Sequence, residues 1–295
     1  MYQDTEGKKW WKGNLHTHTT LSDGRKTPAE AAARYREEGY DFLALTDHWH
    51  FAPGGEAEGM LLLSGCEYDA GEAGLAENGI YHIVSIGAEQ APALAKAPGL
   101  TAQQVLDAIH AAGGFAILAH PAWSLNRPDE ILKLRGIDAS EIYNTMSGTP
   151  WNGRRADSGI ILDTVAANGL PLPLIASDDA HSYTGEDCRS FVYVQADALS
   201  RDAILSALRE GRFYASQGPR MAVSFDGERM CVSCTPARMV VFYSNLVWSS
   251  KRVVQGEGLT AAEYHVQPGE RFVRAEVIDA EGRIAWSNPF PVWRA

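Results

Sequence analysis

The chain has 295 residues, 45% of them hydrophobic, and a net charge of −11. That length suits one large α/β domain of about 250 residues with a small companion. The acidic balance disfavours non-specific nucleic-acid binding, which needs a basic footprint, and no run approaches the roughly 18 apolar residues that span a bilayer.

The opening stretch, MYQDTEGKKWWKGN, carries no apolar leader, so a cytoplasmic location is expected. Strands are predicted at 12–17, 41–47 (DFLALTD), 60–68 (MLLLSGCEY), 80–87 (IYHIVSIG), 115–121 (FAILAHP), 139–144 (ASEIYN), 173–179 (PLIASDD) and 190–195 (SFVYVQ). Helical patterns lie between several of them. TPAEAAARYREEG has a Thr cap, Pro at the first position, Glu at the third and a terminal Gly39. TAQQVLDAIHAAGG, RRADSGIILDTVAANG (154–169) and SRDAILSALREG (200–211) follow the same grammar. Alternating short strands and helices predict a parallel sheet with helices outside, closed or nearly closed as a barrel. After Gly211 the helical periodicity stops. MAVSFDGERMCVSC reads as two strands around an Asp-Gly turn, and RMVVFYSN and RFVRAEVIDAEGRIAWSN alternate apolar and polar residues. The expected organisation is a barrel over 1–211 and a small antiparallel β-sandwich over 212–295. Four cysteines in so long a chain make no disulfide framework. Cys231 and Cys234 form a lone CxxC, short of the four ligands a structural zinc needs.

Of nine histidines, six lie at, just past or within a predicted strand end: His16, His18, His48, His82, His120 and His181. Asp23, Asp47, Glu67, Asp178 and Asp179 occupy matching places. In a parallel barrel the C-terminal strand ends open on one face, where chemistry is built. Neutral imidazole and carboxylate suit Zn, Mn and Fe. Residues i and i+2 of a strand point the same way, so His16 and His18 can share an ion, and Asp179 and His181 have the same spacing. A lone strand histidine is more often a hydrogen-bonded core residue. Burying six without metal would leave unpaired donors, each costing roughly 1–3 kcal/mol. His110 and His265 fall outside the pattern, His50 reads as a loop histidine near the mouth, and the directions of Glu141 and Asn144 stay open.

The pieces HTHTTLSDG, LTDH, GCE, YHIVSIG, LAHP and SDDAH, in this order, resemble the polymerase and histidinol phosphatase (PHP) domain family over about residues 10–210. The tail from GRFYASQGP to AWSNPF is similar to the small β-domain of its carbaryl-hydrolase-like members. The resemblance implies a distorted (β/α)7 TIM-like barrel with two or three divalent transition-metal ions, Zn, Mn or Fe, at the strand ends. It implies that His16, His18, Glu67 and Asp179 hold the first ion. Glu67 bridges to a second, held with His82 and His120, and Asp23, His48 and His181 hold a third. The family spacing favours Asp179 over Asp178. Asp47 is expected to support an imidazole or accept a loop hydrogen bond.

This set points to a metal-dependent hydrolase, a phosphoesterase cleaving a small phosphorylated molecule. A water between two ions is acidified toward pH ~7 and becomes the nucleophile. Glu67, as a bridge, neutralises charge, and His181 is a candidate acid for the leaving group. Arg154 and Arg155, at the start of a predicted helix, and Arg189 are candidate phosphate clamps, or else surface solubilisers. Trp123 and Trp151 are expected to wall a pocket or close the domain interface. The alternatives are a carboxyl-ester or carbamate hydrolase and a non-catalytic metal-binding regulatory module. The complete donor set opposes the second. A proofreading nuclease fits the charge poorly.

Overall fold

A computed structural model of the chain describes residues 1–71 and 79–292. Local sequence explains the helices. In α1 (Pro28–Glu37) and α2 (Ala102–Ala111), Thr27 and Thr101 each close a full capping box, with Glu30 and Gln104. The short α3 is Pro128–Ile131, and α4 is Gly159–Ala167. In α5 (Arg201–Arg209) the Ser200 hydroxyl accepts from Ala203 N. The helix expected from residue 154 starts later because residues 156–158 lie extended against the neighbouring strand. Asn144 N donates to Ala156 O and Ser158 N to Ile142 O.

The first strands are β1 (Tyr2–Gln3), β2 (Lys9–Asn14), β3 (Phe42–Ala44), β4 (Gly55–Ala57), β5 (Met60–Leu63) and β6 (Gly65–Gly71). Then come β7 (Ile80–Ile86), β8 (Phe115–Leu118), β9 (Ala139–Asn144), β10 (Leu174–Ser177) and β11 (Phe191–Gln195). The tail supplies β12 (Phe213–Ser216), β13 (Met221–Phe225), β14 (Arg229–Tyr243), β15 (Val253–His265), β16 (Phe272–Ile278), β17 (Ile284–Trp286) and β18 (Phe290–Pro291).

The architecture is α/β with mixed sheets, and it departs from one closed parallel barrel. Among the described residues the strands form two sheets, one containing β11-β2-β3-β5 and the other ordered β10-β9-β8-β7-β6. The run predicted at 60–68 is cut by Ser64, and its halves belong to different sheets. Gly65 is required at this switch, since a Cβ there would sit 2.3 Å from the Leu45 carbonyl oxygen. The β2–β3, β3–β5, β8–β9 and β9–β10 pairs are parallel, whereas β7 runs antiparallel to both β6 and β8. The sheets meet at one end through isolated bridges, Thr17 with Ala180 and His48 with Glu67.

Between the sheets lies an apolar interior that includes Leu15, Phe42, Val84, Ile117, Ala139 and Ile175, joined by Ile204 and Leu208 of α5. A second core packs α2 and α4 on the outside of β6–β10. The strands of the expected small sandwich continue the first sheet: β12 pairs with β11 and with β17, and β17 leads to β16, β14 and β13. Buried Arg274 of β16 reaches back to α4, donating from Nε to Asp163 at 2.6 Å and from NH1 to Glu276 at 2.7 Å. Cys231 and Cys234 are free on β14, three residues apart and so on opposite faces. No helix among the described residues is long and apolar enough to cross a membrane.

Candidate metal centre

The cluster forms where the sheets meet. His16 and His18 lie just beyond the end of β2, not within the strand, on either side of the Thr17 bridge to Ala180. Asn14 fixes that turn: its Oδ1 accepts from His16 N at 2.9 Å and its Nδ2 donates to Asp178 Oδ2 at 2.7 Å. Glu67 is in β6, and His120 and Asp179 follow β8 and β10. Both hold left-handed backbone conformations, φ 28° and 54°, which are uncommon outside glycine. His82 reaches the cluster differently from expectation. It stands near the start of β7, and because β7 is reversed, that start lies beside β6, with His82 opposite Asp69.

Four side-chain atoms converge in the centre: His16 Nε2, His18 Nε2, Glu67 Oε2 and Asp179 Oδ1. The two imidazole nitrogens are 3.2 Å apart. His16 Nε2 is 3.3 Å from Glu67 and 3.2 Å from Asp179, and His18 Nε2 is 3.2 and 3.0 Å from the same oxygens. Glu67 Oε2 and Asp179 Oδ1 are buried and have no hydrogen-bond partner. An unsatisfied buried acceptor costs about 1–3 kcal/mol, and more when charged. Donor atoms about 3.3 Å apart are what a tetrahedral ion with bonds of about 2.0–2.1 Å draws around itself. The residues therefore fit a divalent cation.

The remaining predicted residues flank this centre. Glu67 Oε1 faces His82 Nδ1 at 2.8 Å and His120 Nε2 at 3.4 Å. On the other side His18, Asp23, His48 and His181 form a second group. Asp23 lies 3.5 Å from His181 Nε2 and 3.8 Å from His48 Nε2, and its side chain is 57% exposed. His181 Nδ1 donates to the Asp179 carbonyl at 2.7 Å.

The carboxylates set the charge state of the rings in the metal-free chain. Burial lowers His16 and His18, but Asp179 and Glu67 outweigh it: His16 stands well above the ordinary imidazole value and His18 is raised to about 9. Glu67 lifts His82 in the same way, while burial leaves His48 below its ordinary value. Burial opposes ionisation of Glu67 and Asp179, yet the imidazoles hold both well below the carboxylate range. Protons thus occupy the place a cation would take, and metal uptake must displace them.

The supporting residues are also visible. Asp47 accepts from Thr19 N, Thr19 Oγ1 and Ser22 Oγ, each at 2.7 Å, and so shapes the loop carrying Asp23. Asp178 turns away from the cluster. Its carboxylate takes the N–H groups of Cys188, Arg189 and Ser190 and the Tyr35 hydroxyl, and burial raises it to about 7. Glu141 and Asn144, of open direction in the sequence, both point inward; Glu141 Oε1 is 2.7 Å from His16 Nδ1, and Asn144 Nδ2 donates to Glu141 at 2.8 Å. Trp123 walls the site, with its ring 5.0 Å from His120 and 5.7 Å from His82.

The candidate clamps are less ordered by contacts. Arg154 and Arg155 are exposed in the loop between β9 and α4, not at a helix start. Trp151 of that loop donates to Thr184 Oγ1 at 3.2 Å, and Arg189 stacks over its ring at 5.4 Å while bonding the Gly185 carbonyl. The loop after β9 therefore meets the loop that carries His181. His50, His110 and His265 are exposed, and none belongs to a cluster of ligand atoms among the described residues.

Comparison with solved structures places the whole architecture. A two-domain protein from Bacteroides vulgatus containing a predicted PHP-like metal-dependent phosphoesterase matches with a TM-score of 0.55 and 16% identity, over 98% of this chain and 98% of that one. An amidohydrolase from Chromobacterium violaceum, with bound sulfate and no metal, matches with a TM-score of 0.46 and 18% identity, over 68% of this chain and 96% of that one. No family model and no curated protein match the sequence. The chain has the fold of a two-domain PHP-like protein.

Proposed function

We propose that the protein is a metal-dependent phosphoesterase acting on a small phosphorylated molecule. The observation that carries this reading is the pair of buried, partnerless carboxylate oxygens facing two imidazole nitrogens at 3.0–3.3 Å. His16, His18, Glu67 and Asp179 would hold one divalent ion, Glu67 with His82 and His120 a second, and Asp23, His48 and His181 a third; Zn, Mn and Fe suit these donors. Bound there, such ions supply an acidified water and Lewis-acid polarisation of a phosphoryl oxygen.

The chain's own residues do the rest. Glu67 has imidazoles on both oxygens, so it balances charge and is not free to act as a base. His181 gives its Nδ1 proton to a carbonyl, which leaves Nε2 facing the mouth beside Asp23. Nε2 is therefore its ligand atom for the third ion, and only where that ion is not bound is the same nitrogen, protonated, placed to pass a proton to a leaving oxygen. Trp123 keeps water from one side of the cluster. Arg189, and Arg154 and Arg155 from the adjoining loop, would meet the phosphate or the group attached to it.

The test is metal analysis joined to a phosphate-release screen over nucleotides, sugar phosphates and amino-alcohol phosphates, with neutral carboxyl esters and carbamates alongside. At least two equivalents of transition metal and phosphate release are expected. Turnover of neutral esters alone would replace this reading with the carboxyl-ester or carbamate hydrolase. Full metal with no turnover of either class would favour the regulatory module.

A further inference from the structure

We propose that Glu141 is a positioning residue that ties two ion-holding residues together, fixing the ring of His16 and the main chain of His120 without ligating an ion itself. The proposal rests on the metal reading above. Ligation is the competing role, because His16, His120 and Glu141 bring ligand atoms within 4.8 Å of one another.

The hydrogen bonds decide between the two. An ionised carboxylate offers about four lone-pair directions. Glu141 is completely buried in β9. Its Oε1 faces His16 Nδ1 at 2.7 Å and accepts from the Ser177 hydroxyl at 2.5 Å. Its Oε2 accepts from His120 N at 2.7 Å and Asn144 Nδ2 at 2.8 Å. Every lone pair has a donor, so none is left for a cation. Glu67 Oε2 and Asp179 Oδ1, close by, have none.

Those bonds also specify what Glu141 achieves. A nitrogen 2.7 Å from a carboxylate oxygen must carry the proton, so His16 is protonated on Nδ1. When an ion displaces the second proton, the Nε2 lone pair is the one aimed at the space between His18, Glu67 and Asp179. The other tautomer would point an N–H at the ion and a lone pair at the carboxylate. A carboxylate behind a ligating imidazole also strengthens it as a donor. The second arm holds His120 at its unusual φ of 28°, from which ring Nε2 comes within 3.4 Å of Glu67 Oε1. One carboxylate thereby sets the residues that reach Glu67 from the ends of β2 and β8.

The experiment titrates metal-free protein with Co(II), following the visible absorption spectrum and the affinity in competition with a chromophoric chelator. It compares the wild type with Glu141→Gln, Ser177→Ala and, as a ligand control, Glu67→Gln. Glutamine keeps the shape but turns one acceptor end into an NH2 group that faces two donors. Glu141→Gln is expected to weaken both of the tighter equivalents by about 10–100-fold, to shift the Co(II) bands, and to keep full stoichiometry at saturation. Ser177→Ala, which removes one donor and touches neither histidine, is expected to weaken both by a few-fold. Unchanged affinity in Glu141→Gln would overturn the proposal. So would loss of one equivalent with the other unaffected, because that makes Glu141 a ligand. If circular dichroism shows Glu141→Gln unfolded, the Ser177→Ala, Asn144→Ala double variant decides, and wild-type affinity in it overturns the proposal. A wild type that binds no Co(II) defeats the metal reading itself, an outcome distinct from a variant that binds as the wild type does.

Discussion

Glu67→Gln and Cys66→Ser together test the centre, because they alter adjacent residues of one strand that face opposite ways. Glu67 Oε2 lies 3.3, 3.2 and 3.0 Å from nitrogens of His16, His18 and His48, and Oε1 lies 2.8 and 3.4 Å from His82 and His120. One charge therefore serves the centre and both flanks. Removing a single electrostatic group of this kind costs about 2.7–4 kcal/mol, or about 10²–10³ in turnover. A group shared between two ions should reach the upper end of that range and lower metal content as well. Cys66 is fully buried among the residues that pack against α2, outside the sheet. Its hydroxyl replacement should cost about 1–3 kcal/mol of stability and leave metal content and turnover within about threefold, a margin set by the tolerance of a site whose own contacts are intact. Phosphate release and elemental analysis on both folded variants provide the comparison. Equal losses in the two, or a Glu67→Gln protein that retains metal and turnover, would refute the strand register and the bridging role together.

His48→Ala removes a ring 3.0 Å from Glu67 Oε2; it should cut phosphatase turnover by about 10²-fold and affect a neutral ester much less, and full phosphatase activity after loss of an ion would make that position structural. In metal-free protein the raised His18 contributes stability that is fully present below pH ~6.5 and lost as pH rises through about 9. Thermal melts in chelator should therefore fall between those values, with His16 acting in the same direction; a flat or rising Tm contradicts the charged cluster. Arg274→Ala leaves Glu276 and Asp163 without their buried cation and should destabilise the chain by about 3–5 kcal/mol, read in denaturant melts, whereas a loss below about 1 kcal/mol would show the pair to be no stronger than a surface one.

The ligand-type residues are legible in sequence because their spacing survives errors in strand length. His16 and His18 converge although the strand stops at Asn14, since the bridge at Thr17 keeps both rings on one side. Asp179 is separable from Asp178 only by its two-residue spacing to His181, and the structure puts Asp178 to work under the 188–190 turn. The reversal of β7 is not legible: IYHIVSIG is equally apolar read in either direction, and pairing with β6 and β8 decides its sense. Nor is the direction of Glu141, which depends on the register that sets it opposite Ile175, a residue of the interior. The long β15 escapes notice because its two glycines and largely exposed side chains look like a loop, while its place beside β14 is fixed by the backbone ladder and a few inward side chains such as Tyr264, stacked on Phe242.

The join between the sheets has a mechanical meaning. Around the sheet edges the chain relies on ladders of backbone hydrogen bonds, but this seam is crossed by isolated bridges, two of them made by a ligand-type residue or its immediate neighbour, Thr17 with Ala180 and His48 with Glu67, and another between Ala52 and Gly65. On the proposed reading the cations act as rivets at that seam, tying residue 16 to residue 181 across most of the molecule's contour length. Chelation would then do more than stop turnover. It would hand the seam over to protons on His16 and His18, which hold the carboxylates only while those rings stay charged, so the metal-free sheets would be fastened at the catalytic end more weakly as pH rises.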